Sequence, residues 1–169
     1  HLRRNAYYHA ETLRFHQSVV PPGMRILCLG CATGDALASL KPSFGVGVER
    51  SAEMVRIARE KYAGRPECTF VDSDLEDFDS DERFDYIVLH FSVDYLPDLW
   101  PVFVRLRKFC YEHTKILLVS HNPLWEFVLR IGARMGLRCP DGPRTFVTNF
   151  DLQYQLYLAG FDPYEKGYK

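Results

Sequence analysis

The 169-residue sequence predicts an α/β fold, a doubly wound and mostly parallel sheet with helices on both faces. Three observations carry that prediction. Apolar runs such as "RILCL", "YIVLH" and "ILLVS" are short and continuous rather than alternating, as in strands buried on both faces. Helix-like segments separate these runs at the spacing of βαβ units. A hydrophobic content of 47% and a charged content of 25% are those of an ordinary globular chain, long enough for one substantial core.

Taken in order, residues 3–18 read as a helix with Tyr7, Tyr8, Leu13 and Phe15 at its apolar positions, stopped by Pro21-Pro22-Gly23. Strands are expected at Arg25–Leu29, Gly45–Val48, Cys68–Val71, Tyr86–His90 and Ile116–Ser120. Helices are expected at 35–41, 51–62, 98–112, 124–137 and 149–159. With no repeat, low-complexity tract or linker, residues 1–169 read as a single domain: a helical cap over 1–23 and an α/β core over 24–169. In such a fold, ligands gather in loops at the carboxyl ends of the strands, which selects 30–35, 49–51, 72–76, 90–95 and 120–123.

Bulk properties narrow the function classes. The formal net charge of −1 provides no global field to recruit nucleic acid or acidic membranes. No apolar run approaches the ~20 residues of a membrane span, and the N-terminal stretch lacks a signal-peptide core. Five cysteines (28, 31, 68, 110 and 139) are odd in number and scattered, which suits a reducing compartment. The expectation is a cytoplasmic protein acting on a small molecule.

The informative stretch is "RILCLGCATGDALASL", residues 25–40: a strand, a turn bounded by Gly30 and Gly34, then a helix start. A dinucleotide fingerprint asks for Gly-x-Gly-x-x-Gly. Aligned on Gly30, its second glycine is Ala32 and its third is Asp35. An acid suits the positive end of a helix, but it competes there with a pyrophosphate, so a nicotinamide cofactor is disfavoured. S-adenosylmethionine, which carries no phosphate, fits better. Nineteen residues past Gly30, Glu49 ends the second strand where a carboxylate can accept from both ribose hydroxyls. After the third strand, Asp74 offers an acceptor for the adenine amino group, and the backbone of Leu75 can meet a ring nitrogen. Cys28-Leu29-Gly30-Cys31 is formally a Cys-x-x-Cys, but it has no second ligand pair for a metal, and Cys28 lies within a strand.

In order and spacing, "RILCLGCATG", "GVGVERSAEMVRIARE", "FVDSDLEDF" and "FDYIVLHFSVDYLPD" resemble the successive motifs of class I S-adenosylmethionine-dependent methyltransferases, over roughly residues 24–160. The resemblance implies that Gly30, Cys31 and Gly34 hold the methionine part of the cofactor and that Glu49 binds ribose. It also implies that Arg50 and Met54 flank adenine, that Asp74 and Leu75 bind it, and that His90, Phe91 and Ser92 lie near the sulfonium and the acceptor. Three departures stand out. Cys28 occupies a position where the family usually has an acid that orders the loop. Ala32 replaces a frequent glycine, harmlessly provided its φ is negative. The family normally ends in two further strands, of which "GFDPYEKGYK" supplies only the first.

Other residues keep two readings open. Tyr8, with Tyr7, either closes over the cofactor as a lid or packs on the domain. Met54 either touches adenine or joins the core with Ile57 and Ala58. His90 and His121, at the ends of the fourth and fifth strands, either accept a proton during transfer or merely line the pocket and cap a helix. Asp94 and His113 are further candidates for proton work, although His113 reads as a surface residue near a helix end. Arg130, Arg134 and Arg138 share one helix face, solvated or attracting an anionic acceptor, and Leu124, Trp125 and Phe127–Leu129 either bound the acceptor pocket or pack. Methyl transfer is an in-line displacement needing alignment and exclusion of water more than a catalytic triad, and no triad is evident. Two rivals to the methyltransferase are an accessory domain of degenerate cofactor affinity and an NAD-dependent oxidoreductase.

Overall fold

In a computed structural model, residues 6–90, 99–119 and 149–163 are described, with side chains over 9–89, 99–119 and 150–163. The elements are α1 (Ala6–Val19), β1 (Arg25–Leu29), α2 (Asp35–Ser39), β2 (Phe44–Glu49), α3 (Ala52–Lys61), β3 (Cys68–Asp72), β4 (Phe84–His90), α4 (Trp100–Leu106), β5 (Cys110–Val119) and α5 (Asn149–Leu158). The five strands form one parallel sheet in the order β3-β2-β1-β4-β5. This is the doubly wound arrangement expected, with the order reversing beside β1.

The continuous apolar strands divide their side chains between two cores. Ile26 and Cys28 of β1 point to one face, where they pack with Val20, Leu37, Val55, Phe70 and Val88 under α1, α2 and α3. Leu27 and Leu29 point to the other, joining Val48, Ile87, Leu89, Phe103 and Leu152 under α4 and α5. Each fully buried large aliphatic or aromatic side chain contributes about 1.5–3 kcal/mol of transfer free energy, which a polar residue at Ile26, Leu27 or Leu29 would forfeit. The cap helix is part of this packing: Leu13 and Val20 enter the first core, and Gln17 donates to the Ser39 carbonyl of α2 at 3.0 Å.

The expected helix over 98–112 ends early. After α4 the chain makes a single 3₁₀ turn over Arg107–Phe109, and Cys110 is already extended, at φ −96° and ψ 142°. Phe109 is buried and anchors this switch. Residues 110–112 therefore open β5, which is ten residues long rather than the expected five. Its pairing with β4 is irregular between Phe84 and Tyr86, where Cys110 and then Lys115 are their partners. The Thr114 hydroxyl covers the irregularity, donating to the Phe84 carbonyl and accepting from the Tyr111 N–H, both at 2.6 Å. Residues 161–163 have no regular structure. Residues 164–169 of the expected sixth strand and all of the helix expected at 124–137 lie outside the described residues.

Candidate functional site: a glycine turn fastened by Glu49

At the carboxyl end of β1, the backbone takes left-handed values at Gly30 (φ 70°), Ala32 (φ 47°) and Gly34 (φ 81°). The condition under which Ala32 would be harmless is thus not met. An L-residue in this region costs about 1–2 kcal/mol, which gives a physical reason for the glycine usual at this place. The turn continues the sheet at its base, since Gly30 and Cys31 both donate to the Val48 carbonyl, at 2.9 and 3.2 Å. It closes on itself where Gly34 donates to the Cys31 carbonyl at 2.8 Å.

Glu49, the last residue of β2, is the junction of three loops. One carboxylate oxygen accepts from the Ala32 N–H and the other from the Ser51 N–H, each at 3.1 Å. Its own carbonyl accepts from the Ser73 N–H at 3.2 Å. The side chain is half-buried and held in one orientation beside the glycine turn. An ionised carboxylate has about four acceptor sites; two are used here, which leaves room for a pair of vicinal hydroxyls.

Around Glu49 stand the other predicted contacts. Ser51 caps α3 by accepting from the Met54 N–H at 3.4 Å. Met54 is 38% exposed, so the core positions of this helix belong to Val55 and Ala58 instead. Arg50 is exposed. The exposed Asp74 opens the loop after β3, its carbonyl accepting from Asp77 and Phe78 at 3.2 and 3.0 Å. Leu75 is half-buried and packs on the second core, so it offers the site its backbone only. Cys31 likewise turns its side chain inward, where a Cβ on Gly47 would come within 2.8 Å of its sulfur. Both thiols of the Cys-x-x-Cys are free and buried. Burial, then the charge of Glu49, pushes Cys28 up to about 12. Burial, Cys28 and Glu49 push Cys31 higher still. Neither forms a thiolate at neutral pH.

Tyr8 lies on α1 and His90 ends β4 beside Val119 of β5, but their side chains, like Phe91, Ser92, Asp94, His121 and the residues 124–138, lie outside what is described. His113 is in β5 rather than near a helix end. It stacks on Tyr111 and sits 3.4 Å from Asp85, toward the amino end of β4 and so away from the glycine turn. A groove of 440 Å³ over the β2–β3 margin, floored by Phe44, Val46, Thr69 and Val71, does not include the turn either.

Asp35, at the start of α2, accepts from the Thr33 hydroxyl (2.7 Å), the Lys61 ammonium (2.5 Å) and the Tyr62 hydroxyl (2.8 Å). Burial pushes its carboxyl up, but those three hydrogen bonds outweigh it and hold the group below its ordinary range.

A family model described as a methyltransferase domain matches residues 26–111, half of the chain. The chain belongs to the methyltransferase domain family. Trans-aconitate 2-methyltransferase of Escherichia coli O17:K52:H18 is 30% identical over 82 residues, 46% of this chain and 31% of that protein. The chain thus spans about a third of the length of this curated relative. A Thermotoga maritima SAM-dependent methyltransferase, described as a possible histamine N-methyltransferase, superposes with a TM-score of 0.76 at 16% identity, covering 96% of this chain and 74% of its own. A SAM-bound amino pentose methyltransferase from Micromonospora echinaspora gives a TM-score of 0.55 at 19% identity, covering 67% and 49%. These likenesses establish the class I methyltransferase fold that the four motifs implied.

Proposed function

We propose that the chain binds S-adenosylmethionine at the glycine turn and transfers its methyl group to a small-molecule acceptor. The observation that carries this reading is the Glu49 carboxylate, fixed by two backbone N–H groups beside the turn with acceptor capacity to spare. The cofactor supplies a methyl carbon already activated by a positive sulfur. Glu49 accepts from the ribose hydroxyls, while Arg50 and the exposed Met54 flank the adenine. Asp74 and the backbone of Leu75 meet the adenine edge, and the backbone of Gly30, Cys31 and Gly34 holds the methionine end. By the resemblance of the motifs, Tyr8 would serve the cofactor carboxylate and His90 and Phe91 would belong to the reaction centre. His90 or His121 takes the acceptor's proton where the acceptor is a weakly acidic hydroxyl or amine. The chain's work is alignment and exclusion of water, which suffices for an in-line displacement.

A small-molecule acceptor in the cytoplasm, with neither nucleic acid nor membrane as partner, agrees with the charge of −1. No helix among the described residues is long and apolar enough to cross a membrane. Two of the similar proteins, named for trans-aconitate and for an amino pentose, support a small acceptor. The test is methyl transfer from isotopically labelled cofactor to a panel of small carboxylic acids, amines and amino sugars. Labelled product from one class, abolished in Glu49→Ala, is expected. Transfer to RNA but to none of the panel would refute the acceptor class.

A further inference from the structure

The glycine turn holds two left-handed residues within three, one of them the non-glycine Ala32. Such a conformation persists only where the surroundings over-determine it. Glu49 fastens one side through the Ala32 N–H. The other side is fastened from α3. Lys61 and Tyr62 both grip the carboxylate of Asp35, and its second oxygen accepts from Thr33, the buried residue between the two left-handed ones. The same helix end backs the turn sterically. A Cβ on Gly34 would lie 2.7 Å from the Phe70 ring and 3.1 Å from Tyr62, and these two rings rest 5.9 Å apart. Arg65 adds a bond to the Ala38 carbonyl at 2.7 Å, tying α2 to the loop after α3.

We infer that Asp35, gripped by Lys61 and Tyr62, is a positioning residue that sets the glycine turn in its binding conformation. It touches neither cofactor nor acceptor and acts through Thr33. Three of its roughly four acceptor sites are already taken by Thr33, Lys61 and Tyr62, and the Lys61 ammonium neutralises its charge. The inference rests on the proposed cofactor site for its purpose, though the clamp itself can be measured without any ligand.

The experiment compares wild type with Asp35→Ala, Asp35→Asn and Tyr62→Phe by amide hydrogen exchange and by calorimetric titration with S-adenosylhomocysteine. Exchange at Ala32 and Gly34, whose N–H groups bond the Glu49 carboxylate and the Cys31 carbonyl, is expected to quicken by about tenfold in Asp35→Ala, the effect of one lost charge-assisted hydrogen bond. The mid-strand amides of Leu27 and Val46 keep their rates. Asp35→Asn, which retains one acceptor, falls between, and affinity drops in the same order. Tyr62→Phe keeps the ring against Phe70 and removes only the hydroxyl, so it serves where Asp35→Ala folds poorly. Unchanged exchange in the turn, or equal acceleration of turn and strands, would overturn the clamp as a positioning device. So would a loosened turn with undiminished affinity. Wild type that binds no S-adenosylhomocysteine would sink the proposed cofactor instead, and the exchange rates alone would then decide the clamp.

Discussion

Replacing Ala32 by glycine should stabilise this protein, against the usual direction for a glycine introduced into a folded chain. The residue sits at φ 47°, in the left-handed region, half-buried within the turn. An L-residue there costs about 1–2 kcal/mol. Glycine removes that cost but gives up about 0.5–1 kcal/mol in the added freedom of the unfolded chain. The net is a gain of about 0.5–1 kcal/mol, or roughly 1–4 °C in Tm for a domain of this size. The Ala32 N–H keeps its bond to Glu49, so no compensating contact is lost. Urea unfolding at constant slope is the assay, with two controls. Lys41, also left-handed at φ 50°, should gain on conversion to glycine by the same physics. Ala36, buried in α2, should lose about 1 kcal/mol. Ala32→Gly behaving like Ala36→Gly would mean that the backbone at Ala32 is not strained.

Two further outcomes follow from the cores. His16 of α1 is fully buried, and burial lowers it to about 4. The unfolded chain takes up a proton near pH 6.5 that the native state refuses until about 4, so stability is complete above pH 6.5 and falls as pH drops through this window. The loss reaches about 3 kcal/mol by pH 4, at roughly 1.4 kcal/mol per unit. Unfolding at stepped pH should show this slope in wild type and its disappearance in His16→Gln; identical slopes would exclude His16 as the source. Phe103, buried between α4 and the sheet, should cost about 3–5 kcal/mol on truncation to alanine. Thermal unfolding measures it, and a loss below about 1 kcal/mol would mean that the second core is not packed as described.

Much of this architecture is readable from pattern. The first four strands fall within two residues of their apolar runs. Strands β1, β2 and β4 are interior and carry a continuous signal that needs no partner to interpret, while β3, at the sheet edge, shows it only through Cys68, Phe70 and Val71. Glu49 is legible for a related reason: a charged residue closing the run "GVGVE" marks where a strand leaves the core. The start of β5 is hidden, because "CYEHTK" is mostly exposed and its pairing with β4 slips, repaired by a side-chain bond from Thr114 that no periodicity encodes. Asp35 reads from sequence as a dipole-matched helix start. Its real partners, Lys61 and Tyr62, lie 26 and 27 residues away and meet it only when α3 folds back along the sheet. The sign of φ at Ala32 is equally invisible, being set by the combined pull of Glu49 on one side and Thr33 with Asp35 on the other.

On the proposed function, the Glu49-fastened turn receives an adenosyl cofactor. Calorimetric titration with S-adenosylmethionine and S-adenosylhomocysteine, against NAD and with Glu49→Ala as control, tests it most directly. Micromolar binding of both adenosyl ligands, none of NAD, and at least a tenfold loss in Glu49→Ala from two missing charge-assisted hydrogen bonds are expected. Binding that survives in Glu49→Ala, or NAD binding in place of the adenosyl ligands, would contradict it.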